Sequence, residues 1–83
     1  MKELITAQKD SKLVIGENTT LKNIKLKRAT SVYVAKDCKS SLVEKLKIYE
    51  PLGVQLIQTE KSSEELAILL RKDFKIAVVA ILL

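Results

Sequence analysis

The order of elements in this sequence predicts an α/β fold, a three-layer α/β/α sandwich built on a small mixed sheet of about four strands. Two observations carry that prediction. Segments with helical spacing alternate with short β-branched runs along the chain, and the final run, Ile76 to Leu83, is nearly continuous in Ile, Val, Ala and Leu. Alternation puts helices on both sides of a sheet, and a strand apolar at every position is one covered on both faces. With 83 residues, 47% hydrophobic and 30% charged, the chain is expected to be one domain, 1–83, with a single modest core.

Each element has its own justification. Lys2 to about Asp10 carries Leu4, Ile5 and Gln8 with few breakers and reads as a short helix with a narrow apolar side. Lys12 to Ile15 reads as a strand that ends at Gly16, and a second helix runs from Glu17 or Asn18 to about Lys27. Ser31-Val32-Tyr33-Val34-Ala35 is β-branched and aromatic, as a strand requires. From Ser40 or Ser41, the residues Leu42, Val43, Leu46 and Tyr49 recur at helical spacing until Pro51 and Gly53 break the pattern. Val54 to Ile57 is the third strand. Ser62-Ser63-Glu64-Glu65 has the spacing of a capping box ahead of Leu66, Leu69 and Leu70, and Lys75 to Leu83 is the last strand.

Around Gly16 the pattern suggests a surface with two sides. In a helix starting there, Asn18, Lys22 and Lys25 share one face, while Leu21, Ile24 and Arg28 lie on another. The polar face joins unpaired N–H groups and the positive helix end to ammonium groups, which suits phosphate. From the local pattern alone an ordinary solvated face is the commoner reading, since lysines on exposed helix faces are ordinary. Charge points the same way as the phosphate reading. Residues 1–39 hold nine basic and four acidic side chains, and residues 40–83 six of each, so the net +5 belongs to the first half. Such a half attracts RNA, DNA or an anionic membrane, or serves solubility alone. Thirteen of the fifteen basic residues are Lys, which disfavours bidentate arginine reading of guanine.

Several chemistries are excluded. Without histidine and with a single cysteine, the common zinc and transition-metal sites cannot be built. Cys38 has no histidine to activate it and reads as a partly buried structural thiol. Only Gly16 and Gly53 are present, so there is no Walker loop or dinucleotide fingerprint. Glu64 and Glu65 point in different directions at a helix start and read as caps. The expectation is a binding module, not an enzyme, with no cofactor. One cysteine and the absence of a secretory signal or membrane span near Met1 or elsewhere fit a cytoplasmic protein.

The stretch Gly16-Glu17-Asn18-Thr19-Thr20-Leu21-Lys22-Asn23-Ile24, followed by Ala29 to Cys38, resembles the ribosomal protein families called L-seven-Ae and L-thirty-e, and Thr20-Leu21-Lys22 is closer to the second. Ser63-Glu64-Glu65-Leu66 and Arg71 to Ile81 resemble the late helix, loop and last strand of the same superfamily. The resemblance implies the same sandwich and a kink-turn RNA partner. It implies that RNA sits on the Gly16 backbone, Glu17, Asn18, Thr19 and Lys22, and on the loop Arg71, Lys72, Asp73 and Phe74. Lys25 and Lys36 join this set as cations of the basic half. Phe74 would stack on an extruded base; by residue type alone it reads instead as a core side chain, because aromatics are usually buried.

Four positions depart from the family pattern. Thr19 stands where Glu or Gln is usual and reaches less far. Ala67, Arg71 and Lys27 stand where glycines are common, the last at a left-handed helix end. The resemblance implies a large-subunit ribosomal or other ribonucleoprotein component acting in translation, monomeric when free and away from membranes. The alternative is a protein-interaction module on the same fold.

Overall fold

The computed structural model describes residues 2–83. In chain order the elements are α1 (Lys2–Lys9), β1 (Leu13–Ile15), α2 (Glu17–Lys25), β2 (Ala29–Val34), α3 (Ser40–Lys47), a 3-10 turn (Glu50–Leu52), β3 (Gln55–Gln58), α4 (Ser63–Leu69) and β4 (Val78–Leu82). The expected alternation is realised, and the sheet is mixed. Its order is β1-β4-β2-β3, with β4 antiparallel to both β1 and β2, and β2 parallel to β3.

Strand periodicity divides the core into two layers. Tyr33, Ala35 and Val79 meet Leu4 of α1 and Leu66, Ala67 and Leu70 on the α4 side. Val32, Val34, Val78 and Ala80 point the other way, onto Leu21 and Ile24 of α2 and Leu46 of α3. Because β4 is a central strand between helical layers, both sets of its alternating side chains are apolar, as its sequence predicts.

Several boundaries differ from expectation. The last strand starts at Val78, not Lys75, because the ladder begins at the pairs Val34–Val78 and Ile15–Val79. Ile76 is spoken for elsewhere: its N–H donates to the Ser63 carbonyl at 3.1 Å, and its side chain is buried. Arg28 is not on the buried side of α2 but exposed beyond its end, after Lys27 turns the chain with φ 58°. Tyr49 lies past α3 yet still packs on the second core layer. In α1 the inward residues are Leu4 and Ala7, and Ile5 is exposed.

Strand directions define two ends of the molecule. The chain leaves β1, β2 and β3 and enters β4 at one end, where Gly16, Ala35 to Lys39, Thr59 to Lys61 and Ala77 gather. At the opposite end the chain enters β1, β2 and β3 and leaves β4.

Candidate functional site

Gly16 links β1 to α2 at the first of these ends. It adopts φ 103°, a left-handed value that disfavours any side chain. Its N–H donates to the Val78 carbonyl and its carbonyl accepts the Thr20 N–H, both at 3.0 Å, so the turn is tied to the sheet and to the helix. No side chain caps α2. The first N–H groups of the helix, at Glu17, Asn18 and Thr19, therefore face outward without an intrahelical acceptor. The space where a Cβ of Gly16 would stand is open to 4 Å.

The helix presents the face its spacing predicts. Thr20, Leu21 and Ile24 are buried, while Asn18, Thr19, Lys22 and Lys25 are exposed. Thr20 is fully buried, and among the described residues its Oγ1 has no hydrogen-bond partner.

In front of the Gly16 turn lies a cleft of about 1180 Å³. Gly16 and Glu17 form one side, Cys38, Lys39, Ser41 and Leu42 with Lys45 and Ile48 another, and Phe74 to Val78 the third. Phe74 is 52% exposed, so it is not a core residue. Its ring stands at the cleft because the chain must return from α4 to the start of β4 there.

A carboxylate holds this arrangement together. Asp37 Oδ1 accepts the Ser63 N–H at 2.8 Å and Oδ2 accepts the Ser63 hydroxyl at 2.9 Å, and these bonds hold its pKa below the ordinary value. Ser63 in turn accepts from Ile76. One serine thus fixes the loop after β2 and the segment that carries Phe74. Next to Asp37, burial pushes the Cys38 thiol pKa up, helped by the carboxylates of Asp37 and Glu17. Cys38 is thereby disfavoured as a thiolate, in keeping with a structural role.

The expected site residues divide by position. Gly16, Glu17 and Phe74 line the cleft, and Asn18 and Thr19 continue from its α2 side, with Lys22 one turn on. Glu17 is not unengaged: Lys45 of α3 pairs with it at 3.4 Å across the cleft. Lys25 sits eight residues beyond Glu17 on α2, about 12 Å away along the axis. Lys36 turns toward Glu65, away from the cleft lining, and contributes to lowering that carboxyl's pKa behind two bonds from Ser62. Arg71 and Lys72 close α4 at the opposite end, next to α1, whose Gln8 donates to the Leu70 carbonyl at 2.7 Å. Asp73 is exposed on the returning segment.

Lys39, Lys45 and Ile48 also reach the cleft, outside the residues the sequence points to. Nothing in their local spacing marks them, since only the packing of α3 beside α2 brings them there. The cleft lining is also electrically balanced, with Glu17, Asp37 and Glu44 against Lys39, Lys45 and Lys75. The basic excess of the first half is not concentrated in it. Among the described residues no group of acidic or thiol side chains could hold a metal ion, and no helix is long and apolar enough to cross a membrane.

A family model described as the ribosomal protein L7Ae/L30e/S12e/Gadd45 family matches residues 1–82. No protein of curated function matches by sequence. Among solved structures, a protein of unknown function from Bacillus halodurans C superposes with a TM-score of 0.86 at 18% identity, over 95% of this chain and 79% of that one. The Giardia lamblia 15.5kD RNA binding protein superposes with a TM-score of 0.86 at 20% identity, over 98% of this chain and 68% of that one. At these identities the superpositions establish a shared fold.

Proposed function

The chain belongs to the ribosomal protein L7Ae/L30e/S12e/Gadd45 family, and on that premise we propose that it is an RNA-binding protein that recognises a kink in structured RNA. The family is one of ribosomal and RNA-binding proteins, not of enzymes. The observation that carries the reading is the pairing of an uncapped α2 start with an exposed Phe74 on one cleft. Backbone N–H groups at Glu17 to Thr19 hold a phosphate, and Lys22 adds charge. Asn18 and Thr19 reach base edges where a kink opens the RNA, and Phe74 stacks on a base turned out of the helix. A straight duplex offers no such base. Lys39 and Lys45 extend the contact on the α3 side, Lys45 by leaving Glu17 for phosphate. The whole chain acts as a single RNA-binding domain within a ribonucleoprotein, of which the large ribosomal subunit is the instance the family name suggests.

The test is titration of the protein into a kink-turn RNA and into a straight duplex of equal length, at two salt concentrations. Preference for the kinked RNA that survives the higher salt supports the reading. Equal binding to both, lost together with salt, sinks it.

A further inference from the structure

Three of the four helices, α1, α2 and α4, close in the same way at the face opposite the cleft. After α1 the N–H of Ser11 donates to the Gln8 carbonyl and that of Lys12 to the Ala7 carbonyl, at 3.2 and 2.8 Å. After α2, Lys27 donates to Ile24 at 3.0 Å and Arg28 to Asn23 at 2.9 Å. After α4, Arg71 donates to Ile68 at 3.2 Å and Lys72 to Ala67 at 2.8 Å. Each is a Schellman closure, whose first residue takes a left-handed φ: 58° at Ser11, 58° at Lys27 and 57° at Arg71. Glycine is the residue that takes this conformation without strain, yet two of the three positions carry long cations. The residue after each turn is a cation as well.

These turns are neighbours. The end of β4 joins two of them, with Leu82 N–H donating to the Lys12 carbonyl and Leu83 N–H to the Arg28 carbonyl, both at 2.7 Å. The Gln8 to Leu70 bond joins the ends of α1 and α4. All five cations are exposed, and among the described residues none has a carboxylate within 4 Å. Asp10 and Asp73 are the acids on the same connections. The cleft, by contrast, is charge-balanced. Basic groups at helix ends do complement the helix dipole, but that alone does not favour Lys or Arg in a backbone conformation where glycine is cheaper.

We propose that this face is a second RNA-binding surface, taking the phosphate backbone of a duplex segment, so that the protein holds RNA at both ends of its sheet. The proposal extends the RNA reading of the cleft and makes the two contacts different in kind: the cleft selects shape, and the far face holds charge. Backbone-only contact to duplex phosphates needs cations on a firm support and no base-reading groups. Schellman turns bonded to one another through β4 and α1 supply such a support.

The test uses the full chain with Lys12→Gln, Lys27→Gly and Arg28→Gln combined, a straight RNA duplex as probe, and binding followed against salt. The slope of log K against log salt should fall by roughly one unit per residue removed, while the preference for a kink-turn RNA over the duplex should widen. An unchanged slope overturns the proposal. Stronger binding of the wild type to phosphatidylserine vesicles than to the duplex also overturns it, in favour of a membrane. Lys27→Gly alone serves as the folding control: it should raise Tm and still lower the slope, whereas raised Tm with an unchanged slope assigns Lys27 to helix closure only. Failure of the cleft reading would show separately, as no preference for the kinked RNA in the wild type, with the duplex slope still sensitive to the triple change.

Discussion

Ser63 gives both of its donors, backbone N–H and hydroxyl, to the single carboxylate of Asp37, at 2.8 and 2.9 Å. The bond spans 26 positions in sequence and ties the loop after β2 to the start of α4. Both oxygens of the carboxylate accept a hydrogen bond, which favours the ionised form.

That relationship sets a pH dependence. The pKa of Asp37 is lowered in the fold, and so is that of Glu65, which completes the capping box with Ser62. A carboxyl whose folded pKa lies below its unfolded value adds stability that is present above the unfolded pKa and is lost as pH falls through the folded one. Thermal melts should therefore show a constant Tm above the ordinary carboxylate range and a decline on acidification below it. Asp37→Asn should lower the plateau and flatten the decline.

Phe74→Ala should separate binding from stability. The ring is 52% exposed, so its loss should leave Tm nearly unchanged. Stacking on a base is worth about 1–3 kcal/mol, or roughly 5- to 150-fold in affinity. Fluorescence titration with the kink-turn RNA measures the loss, and an undiminished affinity would remove Phe74 from the interface.

Thr20→Val should stabilise the protein. Thr20 is fully buried, and among the described residues its hydroxyl has neither acceptor nor donor. Replacing that hydroxyl with a methyl group removes an unpaired polar atom from the core at the same shape, an expected gain of about 1 kcal/mol. The urea midpoint should rise with no change in the slope of the unfolding curve.

Arg71→Gly tests the helix ends from the stability side. A residue with φ 57° loses strain when it becomes glycine, with an expected gain of up to about 1 kcal/mol. Chemical denaturation reads the gain; a loss instead would show that the Arg71 side chain contributes more to the fold than its backbone angle costs.

Legibility differed between fold and site. The alternation of elements, the capping box at Ser62, the buried side of α2 and the doubly covered β4 all follow from spacing within a few residues, which a sequence displays directly. The extent of the last strand does not, because Lys75 to Ala77 look like strand residues but precede the paired ladder with β1 and β2, which begins at Val78. Gly16 could be placed at a turn by composition, while the side chains facing it across the cleft could not.

What the sequence by itself determined was the order and type of elements, the class of fold and the family, since these rest on local periodicity and on motifs read along the chain. Tertiary structure alone decided which charges share a surface. Strand direction sends Arg71 and Lys72 to the far end and Phe74 to the near one, though only a few residues separate them. The packing of α3 on α2 sets Lys45 against Glu17, and the helix layer buries the hydroxyl of Thr20. Each of these depends on contacts between segments distant in sequence, and the free energy of such contacts has no counterpart in local pattern.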